Sequence, residues 1–206
     1  MDLFSNHENA AFVNIPVSGG ELLLMHDFLS PEEAGSLFKV LLDTIEWKEA
    51  YLEIYGKRHL LQREIAWYGD ADKTYRYSGL TLNPLQWTNE LFRLKEKVEA
   101  ATGEVYNTVL LNKYRHGNDK VAWHSDHEKE FGRKTTIASI SLGMTRHFDV
   151  RNKKDKTHKF RIDLHSGSLL VMKDEFQHHW EHQVPRQKNL TGIRINLTFR
   201  QMKLAD

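Results

Sequence analysis

From Val105 onward the chain is a succession of short β-like runs: "EVYNTVLLNKY", "KTTIASISLG", "HFDVRN", "HKFRIDL", "GSLLVM" and "IRINLTFRQ". Turn residues separate them at hairpin spacing. Strands of this kind must bury at least one face, so the runs predict a sandwich or a distorted barrel. In "IRINLTFR", Ile195, Leu197 and Phe199 point one way, while Arg194, Asn196, Thr198 and Arg200 point the other. In "LLNKY", Leu110, Asn112 and Tyr114 share a face. Two readings of these polar faces are open. They meet water on a half-exposed sheet, or they line the inside of a barrel. In a barrel, two arginines would need an anionic guest, because an unpaired buried guanidinium is very costly.

Helical periodicity lies upstream. In "SPEEAGSLFKVLLDTIEW", Ser30 can cap the helix, Pro31 suits the first turn and Glu33 completes a capping box. Ala34, Leu37, Phe38, Leu41, Leu42 and Ile45 then form one apolar stripe. A second helix is predicted from Thr88 to about Ala101, with Leu91, Leu94, Val98 and Ala101 inward and Gly103 as the stop. Between the two, "YLEIYGKRHLLQREIAWYGDADKTYRYSGLTL" is aromatic, basic and interrupted by glycines, and reads as short strands and loops. Helices first and strands later define an α+β class. No repeat or linker divides the 206 residues, so one domain is expected. Helices and the aromatic–basic segment fill about 1–104, and the β core fills about 105–203.

Composition narrows the chemistry. A formal net charge of +1 excludes a uniformly basic molecule, so any nucleic-acid surface must be local. Two stretches qualify. "EIYGKRHLLQREIAWYGD" offers Lys57, Arg58 and Arg63 for phosphates, with Tyr55, Trp67 and Tyr68 for stacking or wedging. "RNKKDKTHKFR" holds six Lys or Arg among eleven residues, and is either a phosphate contact or a solvated loop. There is no eighteen-residue apolar run and no basic start followed by an apolar core. No membrane partner is therefore expected, and an intracellular location is expected: cytoplasmic, or nuclear in a eukaryote. The chain has no cysteine, which excludes disulfides and thiolate ligands and leaves imidazole and carboxylate for any metal.

In "AWHSDHE", His124 and Asp126 are two residues apart and present their side chains from one face of an extended segment. A third ligand could come from "QHHWEHQVP", which offers His178, His179 and His182. Two histidines and one carboxylate on one side of an ion leave open positions, the facial arrangement of non-haem iron(II) oxygenases.

"LLNKYRHGNDKVAWHSDHE", "IASISLG", "HHWEHQVP" and "RINLTFR" together resemble the AlkB family of iron(II)/2-oxoglutarate dioxygenases, over roughly Tyr68 to Met202. "WYGDADKTYRYSGLTLNPLQW" is similar to the family members that repair DNA. The resemblance implies a double-stranded β-helix (jelly-roll) core, supported by the N-terminal helices and joined to a nucleotide-recognition hairpin region. It implies His124, Asp126 and His182 as the iron ligands. His182 is preferred because the family's ligand stands just before an x-aliphatic-Pro turn, here Gln183-Val184-Pro185. It further implies 2-oxoglutarate contacts from Asn112, Tyr114, Arg194, Thr198 and Arg200, and substrate contacts from Tyr68, Glu128, Arg63 and Tyr55.

The implied activity is oxidative demethylation of N-alkylated bases such as 1-methyladenine and 3-methylcytosine in DNA. It would use Fe(II), O2 and 2-oxoglutarate and release formaldehyde, succinate and CO2. The partner is then single- or double-stranded DNA with the damaged base flipped out, because a stacked base cannot reach such a site. RNA or protein stands as an alternative substrate. A non-catalytic metal-binding β domain is the rival from another class, and it leaves Asn112, Arg194 and Arg200 without a role. A monomer is the default.

Overall fold

The computed structural model describes residues 11–54, 57–70, 75–77, 80–82, 84–126 and 135–202. Both helices begin at the residues whose side chains can cap them. Helix α1 (Pro31–Thr44) follows Ser30, whose hydroxyl accepts from the Glu33 amide at 3.1 Å while the Glu33 carboxylate accepts from the Ser30 amide at 2.8 Å. Helix α2 (Asn89–Thr102) follows Thr88, whose hydroxyl accepts from the Leu91 amide at 3.3 Å. It ends at Gly103 with φ of +69°, a left-handed conformation that glycine adopts without a Cβ penalty.

Strands β1 (Val13–Asn14) and β2 (Glu21–Met25) precede α1. Between the helices come β3 (Lys48–Ile54), β4 (Lys57–Gly69), β5 (Tyr75–Tyr77), β6 (Leu80–Leu82) and β7 (Leu85–Gln86). After α2 follow β8 (Thr108–Tyr114), β9 (Val121–His124), β10 (Ile137–Gly143), β11 (Arg146–Asn152), β12 (Lys159–Leu164) and β13 (Leu169–Lys173). The one-turn helix α3 (Phe176–His179), β14 (Trp180–Val184) and β15 (Arg194–Arg200) are the last elements among the described residues.

The strands build two principal antiparallel sheets, as expected for a jelly roll. The larger runs β1-β2-β13-β10-β15-β8-β4-β3, with β7 parallel to the end of β4. The smaller runs β12-β11-β14-β9. A separate β5–β6 pair lies in the recognition segment.

The larger sheet divides the interior into two apolar clusters. Its outer face carries Ala66, Tyr68, Val109, Leu111, Ile195, Leu197 and Phe199, packed with Leu37 and Leu41 of α1 and Leu91, Leu94 and Val98 of α2. Its inner face turns Leu22, Leu24, Ile137, Leu170 and Met172 toward Phe148, Val150, Trp180 and Val184 of the smaller sheet. Strand β15 lies in the middle and is buried along its whole length. Arg194, Asn196, Thr198 and Arg200 therefore line the interior and do not meet water.

Two elements differ from the sequence reading. "ELLLM" forms β2 against β13, although its apolar run shows no alternation. The region read as short strands contains one thirteen-residue strand, β4. Its first part pairs with β3 and its last with β8, so two successive partners keep it extended.

Candidate metal centre and adjoining anion pocket

Strand pairing brings the candidate ligands together. His124 ends β9, His182 lies in β14, and the two are directly opposite in the ladder, with ring centroids 4.3 Å apart. Asp126 follows two residues after β9, where its amide donates to Gln177 Oε1 at 2.9 Å. One ligand atom from each of His124, Asp126 and His182 lies within 4.8 Å of the others. The other two histidines of "QHHWEH", His178 and His179, end α3 and are not part of this group.

Each group is set up to offer a lone pair. His124 Nδ1 lies 2.8 Å from the Ala122 carbonyl, which can only accept; Nδ1 therefore carries the proton and Nε2 the lone pair, 3.8 Å from Asp126 Oδ1. His182 stacks on Phe148 at 5.0 Å, and its Nδ1 is buried with no hydrogen-bond partner among the described residues. Burial, then the neighbouring His124, pushes the His182 imidazole down to about 3, so it is neutral at physiological pH. Burial alone would raise the Asp126 carboxyl. The Arg200 guanidinium and the two imidazoles outweigh it and hold the group far below the usual carboxylate range. Arg200 Nη2 donates to Asp126 Oδ2 at 2.6 Å, and this bond ties the large sheet to the metal-binding turn.

Behind the triad is a pocket rich in donors. Arg194 is 1 % exposed, and its Nη2 donates to Ser141 Oγ at 2.8 Å. Its Nε and Nη1 are buried without a hydrogen-bond partner among the described residues. Burial pushes this guanidinium down to about 10, which still leaves it charged at neutral pH. Tyr114 lies between two guanidiniums, Arg194 at 5.2 Å and Arg146 at 5.5 Å from its ring centroid. Arg146 is spoken for: it donates to Gln187 Oε1 and to the carbonyls of His116, Asp119 and Pro185. Arg194 is thus a buried cation with donors to spare, and the barrel reading of the polar strand faces holds.

Other predicted positions fall unevenly. Asn112 is on the inner face opposite Asn196, and its amide oxygen accepts from Arg63 Nε at 2.6 Å. The Thr198 hydroxyl donates to Asn196 Oδ1 at 3.1 Å, while Asn196 Nδ2 donates to Ser139 Oγ and the Ile140 carbonyl. Tyr68 does not join the site. Strand parity sends it to the helix-side core, 5 % exposed, with its phenol raised by burial. Trp67, opposite Leu110, takes the inner face instead. Tyr55 and Glu128 lie outside the described residues. In "RNKKDKTHKFR", half of the cations have internal partners: Arg151 with Glu181, Lys153 with Ser125 and the Gln177 carbonyl, and Arg161 with Asp149.

Sequence reasoning put Asn196 on the polar face without a role, and missed Arg146, Gln177 and Lys153. Asn196 shares the parity of Arg194, a usable signal. Nothing local marks Gln177, whose role depends on a contact 51 residues away.

A double antiparallel sheet with a two-histidine, one-carboxylate group facing it, backed by a buried arginine, defines the class of 2-oxoglutarate-dependent iron(II) oxygenases. Residues 21–200 match the model of the 2OG-Fe(II) oxygenase superfamily. The chain is 37 % identical over 183 residues to DNA oxidative demethylase ALKBH2 of Homo sapiens, covering 84 % of this chain and 70 % of that protein. It is 37 % identical over 194 residues to alpha-ketoglutarate-dependent dioxygenase alkB homolog 3 of Bos taurus, covering 90 % and 67 %. The structure titled "The structure of OsALKBH1" superposes with a TM-score of 0.65 at 19 % identity, over 92 % of this chain and all of that one, a likeness of fold. The chain belongs to the AlkB family of iron(II)- and 2-oxoglutarate-dependent oxygenases. No helix among the described residues is long and apolar enough to cross a membrane.

Proposed function

We propose that this protein removes alkyl groups oxidatively from the bases of DNA, with 1-methyladenine and 3-methylcytosine as substrates. The observation that carries the cofactor chemistry is the pairing of two unmet needs in one interior. Ligand atoms of His124, Asp126 and His182 lie within 4.8 Å of one another, the Arg194 Nε and Nη1 donors are buried and unpartnered among the described residues, and Arg200 joins the two regions through Asp126. A divalent ion and a dicarboxylate fit those needs.

In this reading His124, Asp126 and His182 hold iron(II). Arg200 occupies one oxygen of Asp126 and leaves the other for the metal. Arg194 holds a carboxylate of 2-oxoglutarate, with Tyr114 and Asn112 beside it, and Thr198 supports the site through Asn196. Iron(II) with 2-oxoglutarate and O2 supplies the oxidation, which hydroxylates an N-methyl group and yields succinate, CO2 and, after the product collapses, formaldehyde. The chain's own residues position the cosubstrate and exclude water. The damaged base must be flipped or single-stranded to enter. Of the two candidates for stacking, Trp67 is the one on the inner face, and substrate contacts from Tyr55 and Glu128 are carried by the family resemblance alone. Support for DNA comes from the names of the relatives and from the aromatic–basic segment.

The test is mass spectrometry of 1-methyladenine in single-stranded DNA, duplex DNA and RNA, with iron(II), 2-oxoglutarate and ascorbate. Loss of the methyl group from DNA is expected, and Asp126→Ala should abolish it. Methyl loss from RNA alone would overturn the DNA assignment, and loss from none of the three would overturn the proposal.

A further inference from the structure

Arg63 is expected at the nucleic acid, and the structure engages its Nε at the inner face of the sheet. Ile65 of β4 is opposite Asn112 of β8 in the ladder, so Arg63, Ile65 and Trp67 share the inner face with Asn112 and Tyr114. Arg63 Nε donates to Asn112 Oδ1 at 2.6 Å, across 49 residues of sequence. A guanidinium has donors and no acceptor, so it can face only the oxygen of an amide. The amide nitrogen of Asn112 must then turn the other way.

Asn112 and its neighbour Asn196 differ here. Asn196 is oriented by Ser139, the Ile140 carbonyl and Thr198. Among the described residues, the Asn112 side chain has Arg63 alone as a hydrogen-bond partner, although it is only 5 % exposed. Without Arg63 the amide could rotate by half a turn and present its oxygen. A carboxylate ligand would be repelled by that oxygen and held by the nitrogen. The adjacent acid, Glu64, pairs with Lys113 at 2.7 Å, and no carboxylate among the described residues claims Arg63.

We propose that Arg63 is a positioning residue of the cosubstrate pocket: by taking the amide oxygen of Asn112, it fixes the amide nitrogen as a donor to 2-oxoglutarate. This rests on the reading above that Asn112 contacts 2-oxoglutarate. It gives a strand that leads from the recognition hairpin a direct part in cosubstrate binding.

The experiment is a calorimetric titration of manganese-loaded protein with 2-oxoglutarate in the absence of any nucleic acid. A residue that contacts only substrate would not register in it. Arg63→Met should weaken 2-oxoglutarate roughly three- to tenfold, the range for one oriented hydrogen bond. Arg63→Lys, which can still donate to the oxygen, should recover part of the loss. Asn112→Ala should also bind weakly, and adding Arg63→Met to it should cause no further loss. Wild-type affinity in Arg63→Met, or losses that add in the double variant, would overturn the positioning role while leaving the cofactor reading intact. No 2-oxoglutarate binding by manganese-loaded wild type would overturn the cofactor reading itself.

Discussion

Asp126 divides its two oxygens between two tasks. Oδ2 accepts from Arg200 at 2.6 Å, and Oδ1 faces His124 Nε2 at 3.8 Å. The arginine keeps the carboxylate ionised in a place where burial would otherwise neutralise it. His182 shows the opposite consequence of burial. Its imidazole falls to about 3 in the folded protein, whereas in an unfolded chain it titrates near 6.5. Between those values the unfolded chain holds a proton that the folded one lacks, so acid favours unfolding. Below pH 6.5 the metal-free protein should lose stability by about 1.4 kcal/mol per pH unit from this group alone. His182→Asn should remove that part of the slope. Urea unfolding of chelator-treated protein at pH 6.5 and pH 5 checks this, and equal slopes in the two proteins would show that His182 is not the sensing group.

At the scale of elements, the end of the barrel behind Arg194 is closed by two loops, 115–119 and 185–190. Gly117 N donates to the Leu190 carbonyl and Gln187 N to the Gly117 carbonyl, so close that a Cβ on Gly117 would overlap the Gln187 carbonyl oxygen. Arg146, at the start of β11, links both loops with four hydrogen bonds. Arg146→Met keeps the volume but strands those acceptors. It should cost about 2–4 kcal/mol in urea unfolding, since buried polar groups left unpaired are expensive. A cost under about 0.5 kcal/mol, the range of ordinary surface changes, would show that the loops close without it. Much of the fold was legible in the sequence because helix caps and strand parity are local. Ser30, Thr88 and Gly103 bound the helices, and alternation in "RINLTFR" separated an apolar face from a polar one. Arg146 shares parity with Phe148 and Val150, yet a guanidinium at a strand start reads as solvent-facing until its distant carbonyls are known. Parity in β4 separates Trp67 from Tyr68 but does not say which faces inward; the pairing with β8 decides it. Gln177 and the Arg63–Asn112 bond are long-range, and a single sequence carries no signal for them.

In the molecule as a whole, the large sheet acts as a partition between stability and chemistry. Its outer face and the two helices form one apolar cluster, and its inner face carries the donors of the anion pocket. Substitutions on the two sides should therefore have separable effects. Leu94 of α2 is 0 % exposed in the outer cluster. Leu94→Ala should cost about 2–4 kcal/mol through lost burial and a cavity, within the margin of a typical domain. It leaves Arg194 and its partners untouched, so 2-oxoglutarate affinity should stay within about twofold of wild type, as expected for distant sites with no shared partners. Ser141 sits on the inner face of β10, where its hydroxyl accepts from Arg194. Ser141→Ala should cost no more than about 1.5 kcal/mol in stability. It frees the guanidinium to swing, and should weaken 2-oxoglutarate by roughly three- to tenfold. Urea unfolding and calorimetry on the same two manganese-loaded proteins measure both axes. If Leu94→Ala loosens 2-oxoglutarate as much as Ser141→Ala does, strain crosses the sheet and the two interiors are one mechanical unit.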